Sequence, residues 1–244
     1  MPKLITTFII ISLLISCSSE NNKQIEANLL ISPSYEFTSE LYDCKLNDGY
    51  TLLNLESFFS TFIKSEINKT DLTFNLNILF PKSIYVNEFV INIVNYAEKD
   101  IYDFFLEKIS TRGFDEIASC NFDNNTLSGI SLFSSEEQKE KTKYVSELLR
   151  CEYNEGYNYG TFRVAIERFS LEMKSLNIPY EALYLQSSDY SRSFVWVNNI
   201  FTENFSEAIN NNWITNKLAE NIKEEFIQNA KCIDSKKYDA YSIT

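Results

Sequence analysis

Seven residues recur 107 positions apart: Cys44-Lys-Leu-Asn47-Asp48-Gly49-Tyr50 returns as Cys151-Glu-Tyr-Asn154-Glu155-Gly156-Tyr157, keeping Cys, Asn, Gly and Tyr and exchanging Asp for Glu. A self-match of this kind is the strongest available constraint on architecture, because two halves of similar sequence fold alike. The register continues into the next segment, where Leu55, Phe59 and Phe62 correspond to Phe162, Ile166 and Phe169. Spacings of four and three put those apolar residues on one helical face.

Farther along, Leu72, Phe74, Leu76, Ile78 and Phe80 alternate as one side of a strand over Asp71–Phe80, with Pro179–Gln186 as its counterpart. A second strand is expected at Glu88–Val94 and Ser193–Ile200. Amphipathic stretches follow at Glu98–Ile109 and Glu203–Trp213, and the second half adds a helical stretch at Ile214–Asn229. Each half reads strand–helix–strand–strand–helix, with room for a final strand ending near Cys120 or Cys232. The expected fold class is therefore α+β: two tandem ferredoxin-like (split βαβ) repeats packing sheet on sheet as an intramolecular α/β barrel. Residues 40–120 form the first repeat and 147–244 the second. Between them, 121–146 read as a polar linker followed by a charged, solvated helix.

This element order resembles that of the dimeric α/β-barrel proteins, antibiotic-monooxygenase-like and NIPSNAP-like, fused here into one chain. The resemblance implies the barrel and, as one alternative, cofactor-independent oxygenase or isomerase chemistry using tyrosines and carboxylates of the barrel interior. It carries over no catalytic residue.

At the N-terminus, Lys3 precedes a run of twelve residues, Leu4 to Ile15, nine of them Leu, Ile or Phe. The run suits a signal-peptide core and is short for crossing roughly 30 Å of hydrocarbon. It ends in Leu14-Ile15-Ser16-Cys17, which resembles the lipobox of bacterial lipoproteins. That resemblance implies cleavage after residue 16, acylation of Cys17 and anchoring in the lipid bilayer. Residues 17–39 then form a lipid-anchored polar tether. Ser18, in place of Asp, favours the outer membrane over the inner one, with the protein facing the periplasm.

With Cys17 assigned to lipid, four cysteines remain in a compartment that permits disulfides. The symmetric pairing is Cys44–Cys120 with Cys151–Cys232. A cross-repeat bond between Cys44 and Cys151, and free thiols, are the alternatives. No Cys-x-x-Cys spacing occurs, which argues against thioredoxin-type chemistry and thiolate zinc sites.

The chain contains no histidine. That excludes Ser-His-Asp and Cys-His catalysis, His-ligated haem and His-containing zinc sites. A net charge of -12 without a basic stripe argues against nucleic acid as a partner. No cofactor and no metal are expected.

Two polar constellations stand out. The repeated turn, Asn47-Asp48-Gly49 and Asn154-Glu155-Gly156, offers paired carboxylates flanked by Tyr50 and Tyr157, although Asn-acid-Gly is also ordinary turn chemistry. The second is an aromatic set on adjacent strands, Tyr180, Tyr184, Phe194 and Trp196, with Arg192 and Asn198 nearby. Together these six residues form a candidate pocket for a small apolar ligand. The leading expectation is a non-enzymatic envelope lipoprotein that binds a small molecule or an envelope protein. The alternatives are the oxygenase or isomerase above and a structural or assembly role.

Overall fold

A computed structural model describes residues 36–68, 70, 74–82, 87–96, 101–123, 126–135, 142–176, 178–187, 192–203 and 217–243. The signal peptide, Cys17, the tether up to residue 35 and most of the amphipathic stretch expected at Glu203–Trp213 lie outside these residues.

The first half contributes β1 (Glu36–Leu46), α1 (Leu52–Phe62), β2 (Phe74–Pro81), β3 (Glu88–Asn95), α2 (Tyr102–Thr111), the short α3 (Phe114–Ile117), β4 (Ala118–Cys120) and β5 (Leu127–Ser134). The second contributes β6 (Lys143–Tyr153), α4 (Tyr159–Leu176), β7 (Tyr180–Ser187), β8 (Ser193–Ile200), α5 (Lys217–Asn229) and β9 (Ala230–Ser242). Neighbouring strands run in the order β3-β2-β9-β6-β8-β7-β5-β1, and β1 pairs with β3. That last pairing closes an eight-stranded antiparallel barrel, with β4 continuing the edge of β1 beyond β5. Each half's final strand is shared: β5 lies between β1 and β7, and β9 lies between β6 and β2.

Strand alternation sorts side chains onto two faces. On β1, Tyr42, Cys44 and Leu46 turn outward and join Phe59 and Phe62 of α1 with Phe105 and Phe114 in one buried cluster. Phe37 and Leu41 turn the other way and meet Leu183, Leu185 and Val197 from the second half. A neighbouring cluster of Leu79, Val90, Tyr238 and Ala240 shares Leu41 and Leu148 with it. The barrel interior is thus a largely apolar packed core, and at one end Asp43, Lys45 and Tyr238 border an opening of about 680 Å³.

Two findings correct the sequence reading. Leu127–Ser134, expected within a linker, is the barrel strand β5. The charge run over 136–143 does not end in a helix, since Lys143 already opens β6; residues 136–141 lie outside the described set. Disulfides join Cys44 to Cys120 and Cys151 to Cys232, each bonding a half's first strand to the strand that follows its last helix.

Candidate functional site

The second half opens a cleft of about 660 Å³ between the outer face of its sheet and the helices α4 and α5. Its floor comes from β6, β7 and β8, through Leu149, Tyr180, Phe194, Trp196 and Asn198; Phe162 and Phe169 of α4 and Phe226 of α5 wall it. Helix α4 holds its place because Phe162, Ala165, Ile166, Phe169 and Met173 form one buried stripe. Its start is fixed by a reciprocal cap, in which Thr161 N donates to Asn158 Oδ1 at 3.2 Å and Asn158 N donates to Thr161 Oγ1 at 3.0 Å. Phe226 lies 5.0 Å from the ring of Phe162, 5.8 Å from Phe169 and 5.5 Å from Trp196, so these rings pack on one another along one side of the cleft. An ion pair between Arg168 and Glu225 ties the two helices together outside it.

One polar chain crosses the apolar floor. Tyr180 Oη and Trp196 Nε1 both donate to Asn198 Oδ1 at 2.6 Å, and Asn198 Nδ2 donates to Glu147 Oε2 at 3.0 Å. Glu147 is held in turn by Ser235 Oγ at 3.2 Å and Lys237 Nζ at 3.5 Å. Burial pushes the Tyr180 phenol far above its ordinary range, so at neutral pH it is a hydrogen-bond donor and no base.

Of the six residues read as a pocket, Tyr180, Phe194, Trp196 and Asn198 line the cleft. Tyr184 stands beside it, sharing a 2.7 Å hydrogen bond with Tyr153 and packing 5.1 Å from Phe194. Arg192 serves the backbone, donating from Nη2 to the Tyr153 carbonyl at 2.8 Å. Sequence reasoning missed Glu147 and Phe226; it put Phe162 and Phe169 on the buried face of a helix, where they lie, without showing that this face also borders a cleft. An apolar stripe gives no sign of whether its neighbour is another side chain or an opening.

The repeated turns are structural. Gly49 and Gly156 have φ of 86° and 83°, the left-handed region that favours glycine. Asp48 and Glu155 are exposed, and the asparagine before each bonds a different helix end, so the two turns serve separate helices. Among the described residues, no three His, Cys, Asp or Glu side chains converge as a metal ion requires.

The first half closes the equivalent space. In β1–β3, Cys44 stands opposite Phe89, and in β6–β8, Cys151 stands opposite Phe194. Trp196 therefore occupies the position of Ile91 and Asn198 that of Ile93, both isoleucines being 0% exposed. Phenylalanines of α1, α2 and α3 fill the volume above them.

No protein-family model and no curated protein matches the chain. Solved structures do. A protein from Lactobacillus acidophilus NCFM named as a monooxygenase superposes with a TM-score of 0.55 at 9% identity, covering 86% of this chain and 95% of its own. A second so named, from Fusobacterium nucleatum subsp. nucleatum, gives 0.52 at 8%, covering 86% and 93%. A variant of the chlorite dismutase from Candidatus Nitrospira defluvii gives 0.54 at 8%, covering 89% and 95%. At these identities the likeness establishes the fold, an antibiotic-monooxygenase-like α+β barrel, and assigns no activity. The leading expectation of a non-enzymatic binding protein is corrected on this point: the solved structures that share the barrel carry enzyme names, which favours the enzymatic alternative.

Proposed function

We propose that the protein is a cofactor-independent oxygenase whose substrate is a flat, electron-rich aromatic molecule held in the cleft of the second half. The observation that carries the reading is the cleft itself, aromatic on its walls and crossed on its floor by a fixed polar chain. Phe162, Phe169, Phe226 and Trp196 bind the ring faces and exclude water, and the Asn198 amide fixes the in-plane orientation. The substrate supplies the electrons. At a ring methylene, two C–H bonds are lost, one atom of O2 ends in the new carbonyl and the other leaves as water. The test is oxygen-electrode assay of polycyclic phenols and their ring-methylene ketones, followed by mass spectrometry after turnover under labelled O2. Uptake with one labelled oxygen in the product supports the reading, and the absence of uptake across the panel overturns it.

The proposed setting is the cell envelope, with the protein anchored to the bilayer through acylated Cys17, facing the periplasm and favouring the outer membrane. The Leu14-Ile15-Ser16-Cys17 box supports this, and two disulfides fit an oxidising compartment. Cys17→Ser should abolish labelling by a palmitate analogue, and normal labelling in that variant would refute the anchor.

The barrel is further read as two tandem ferredoxin-like units that arose by duplication. The common register about Cys44 and Cys151, and the two shared final strands, support that reading.

A further inference from the structure

We propose that Asn198 determines specificity in the cleft and that it selects a carbonyl oxygen on the ligand. This rests on the reading of the cleft as the substrate site. The argument is a count of hydrogen-bonding valences. An amide has two acceptor lone pairs and two N–H donors, an indole can only donate, and a carboxylate can only accept. Trp196 Nε1 and Tyr180 Oη both donate to Asn198 Oδ1 at 2.6 Å, which commits both lone pairs. Glu147 Oε2 takes one N–H at 3.0 Å. The amide cannot turn over, because the flipped form would face an NH2 against an indole N–H and a carbonyl oxygen against a carboxylate. One N–H donor is left, on a residue that lines the cleft. A ligand that places an acceptor there completes the network, and one that buries an apolar edge there leaves a donor unsatisfied.

The arrangement is absent from the equivalent, filled space of the first half. In the first half the corresponding residue is Ile93, opposite Glu40, whose Oε1 accepts from Thr126 Oγ1 instead. The pairing of Glu147 with Asn198 therefore belongs to this one cleft, and barrel closure proceeds without it in the other half.

The test uses the full chain carrying Trp213→Phe, which leaves Trp196 as the one indole of the two in the sequence. Quenching of its fluorescence is titrated with fluorenone and with fluorene, tricyclic molecules that differ by one carbonyl oxygen. Fluorenone should bind about tenfold more tightly than fluorene, the scale of one buried hydrogen bond. In Asn198→Ile, which copies the first half, the two affinities should converge through loss of fluorenone binding. Equal affinities before that substitution, or an undiminished preference after it, would overturn the proposal, as would quenching by neither probe. The ratio needs no turnover, so a retained preference without O2 uptake would sink the oxygenase reading and leave this one standing.

Discussion

Asn47 and Asn154 make the same hydrogen bonds in the two halves of the barrel. Asn47 Nδ2 donates to the carbonyls of Asp115 and Glu116 at 2.9 and 3.1 Å, and its backbone N donates to Ile117 O at 2.9 Å. Asn154 Nδ2 reaches the carbonyls of Ile227 and Gln228, both at 2.9 Å, and its N reaches Asn229 O at 2.9 Å. In each half, one side chain satisfies carbonyls that the last turn of a helix leaves without partners. Asn47→Ala and Asn154→Ala should each lower stability by about 1–2 kcal/mol in urea unfolding, the cost of unpaired helix-end groups. Only Asn154→Ala should also weaken aromatic binding, because Asn154 borders the cleft and holds the end of α5, which walls it. Equal weakening by both would mean that α5 does not shape the site.

The turns also need their glycines. A Cβ at Gly49 or Gly156 would meet nothing within 4 Å, so any cost of substitution lies in the backbone. Gly49→Val and Gly156→Val should each cost about 1–3 kcal/mol, and Gly156→Asn distinctly less, since asparagine tolerates the left-handed region. Thermal melts of the three variants check the order. Equal losses from Val and Asn would contradict it.

The Tyr153–Tyr184 pair predicts alkaline sensitivity. Burial, followed by the shared hydrogen bond, holds the Tyr153 phenol far above its usual range, and burial pushes Tyr184 up to about 12. An acid whose folded pKa is raised contributes stability that is complete below its unfolded value of about 10 and is lost as pH climbs toward the folded value. Stability should therefore be flat to about pH 9 and fall between about pH 10 and 12. Tyr184→Phe should shallow that fall. An unchanged slope would remove the pair as its cause.

Both disulfides close long loops, with sequence separations of 76 and 81. Chain-entropy reasoning allows about 4–5 kcal/mol each as an upper bound. Melting with and without a thiol reductant should give a large downward shift. Non-reducing peptide mapping should recover Cys44 with Cys120 and Cys151 with Cys232, and four alkylatable thiols in unreduced protein would contradict the pairing.

The parts of the fold that were legible in the sequence are those where one physical rule acts alone. Strict alternation from Leu72 to Phe80 announced β2, and Asn-acid-Gly announced two left-handed turns. β5 was hidden because the barrel interior demands small residues there. A Cβ on Gly129 would fall inside the Phe37 ring packed over it, and Ser131 is completely buried, so the strand carries a linker's composition. The cleft floor was half legible: strand aromatics marked Phe194 and Trp196, but Tyr184 belongs to the same pattern and turns to Tyr153 instead. Glu147 and Phe226 come from β6 and α5, far along the chain from β8, and only the packing of those elements brings them to Trp196 and Asn198.

The most direct test of the central claim is oxygen uptake by the double variant Trp196→Ile/Asn198→Ile, which writes the first half's Ile91 and Ile93 onto the second half's floor. The same two residues are completely buried in β3, so the variant should fold with its barrel intact. With an aromatic substrate that the unmodified chain turns over, uptake should fall to the uncatalysed background while the circular dichroism stays unchanged. Undiminished uptake by the folded double variant would mean that the chemistry takes place somewhere other than this cleft.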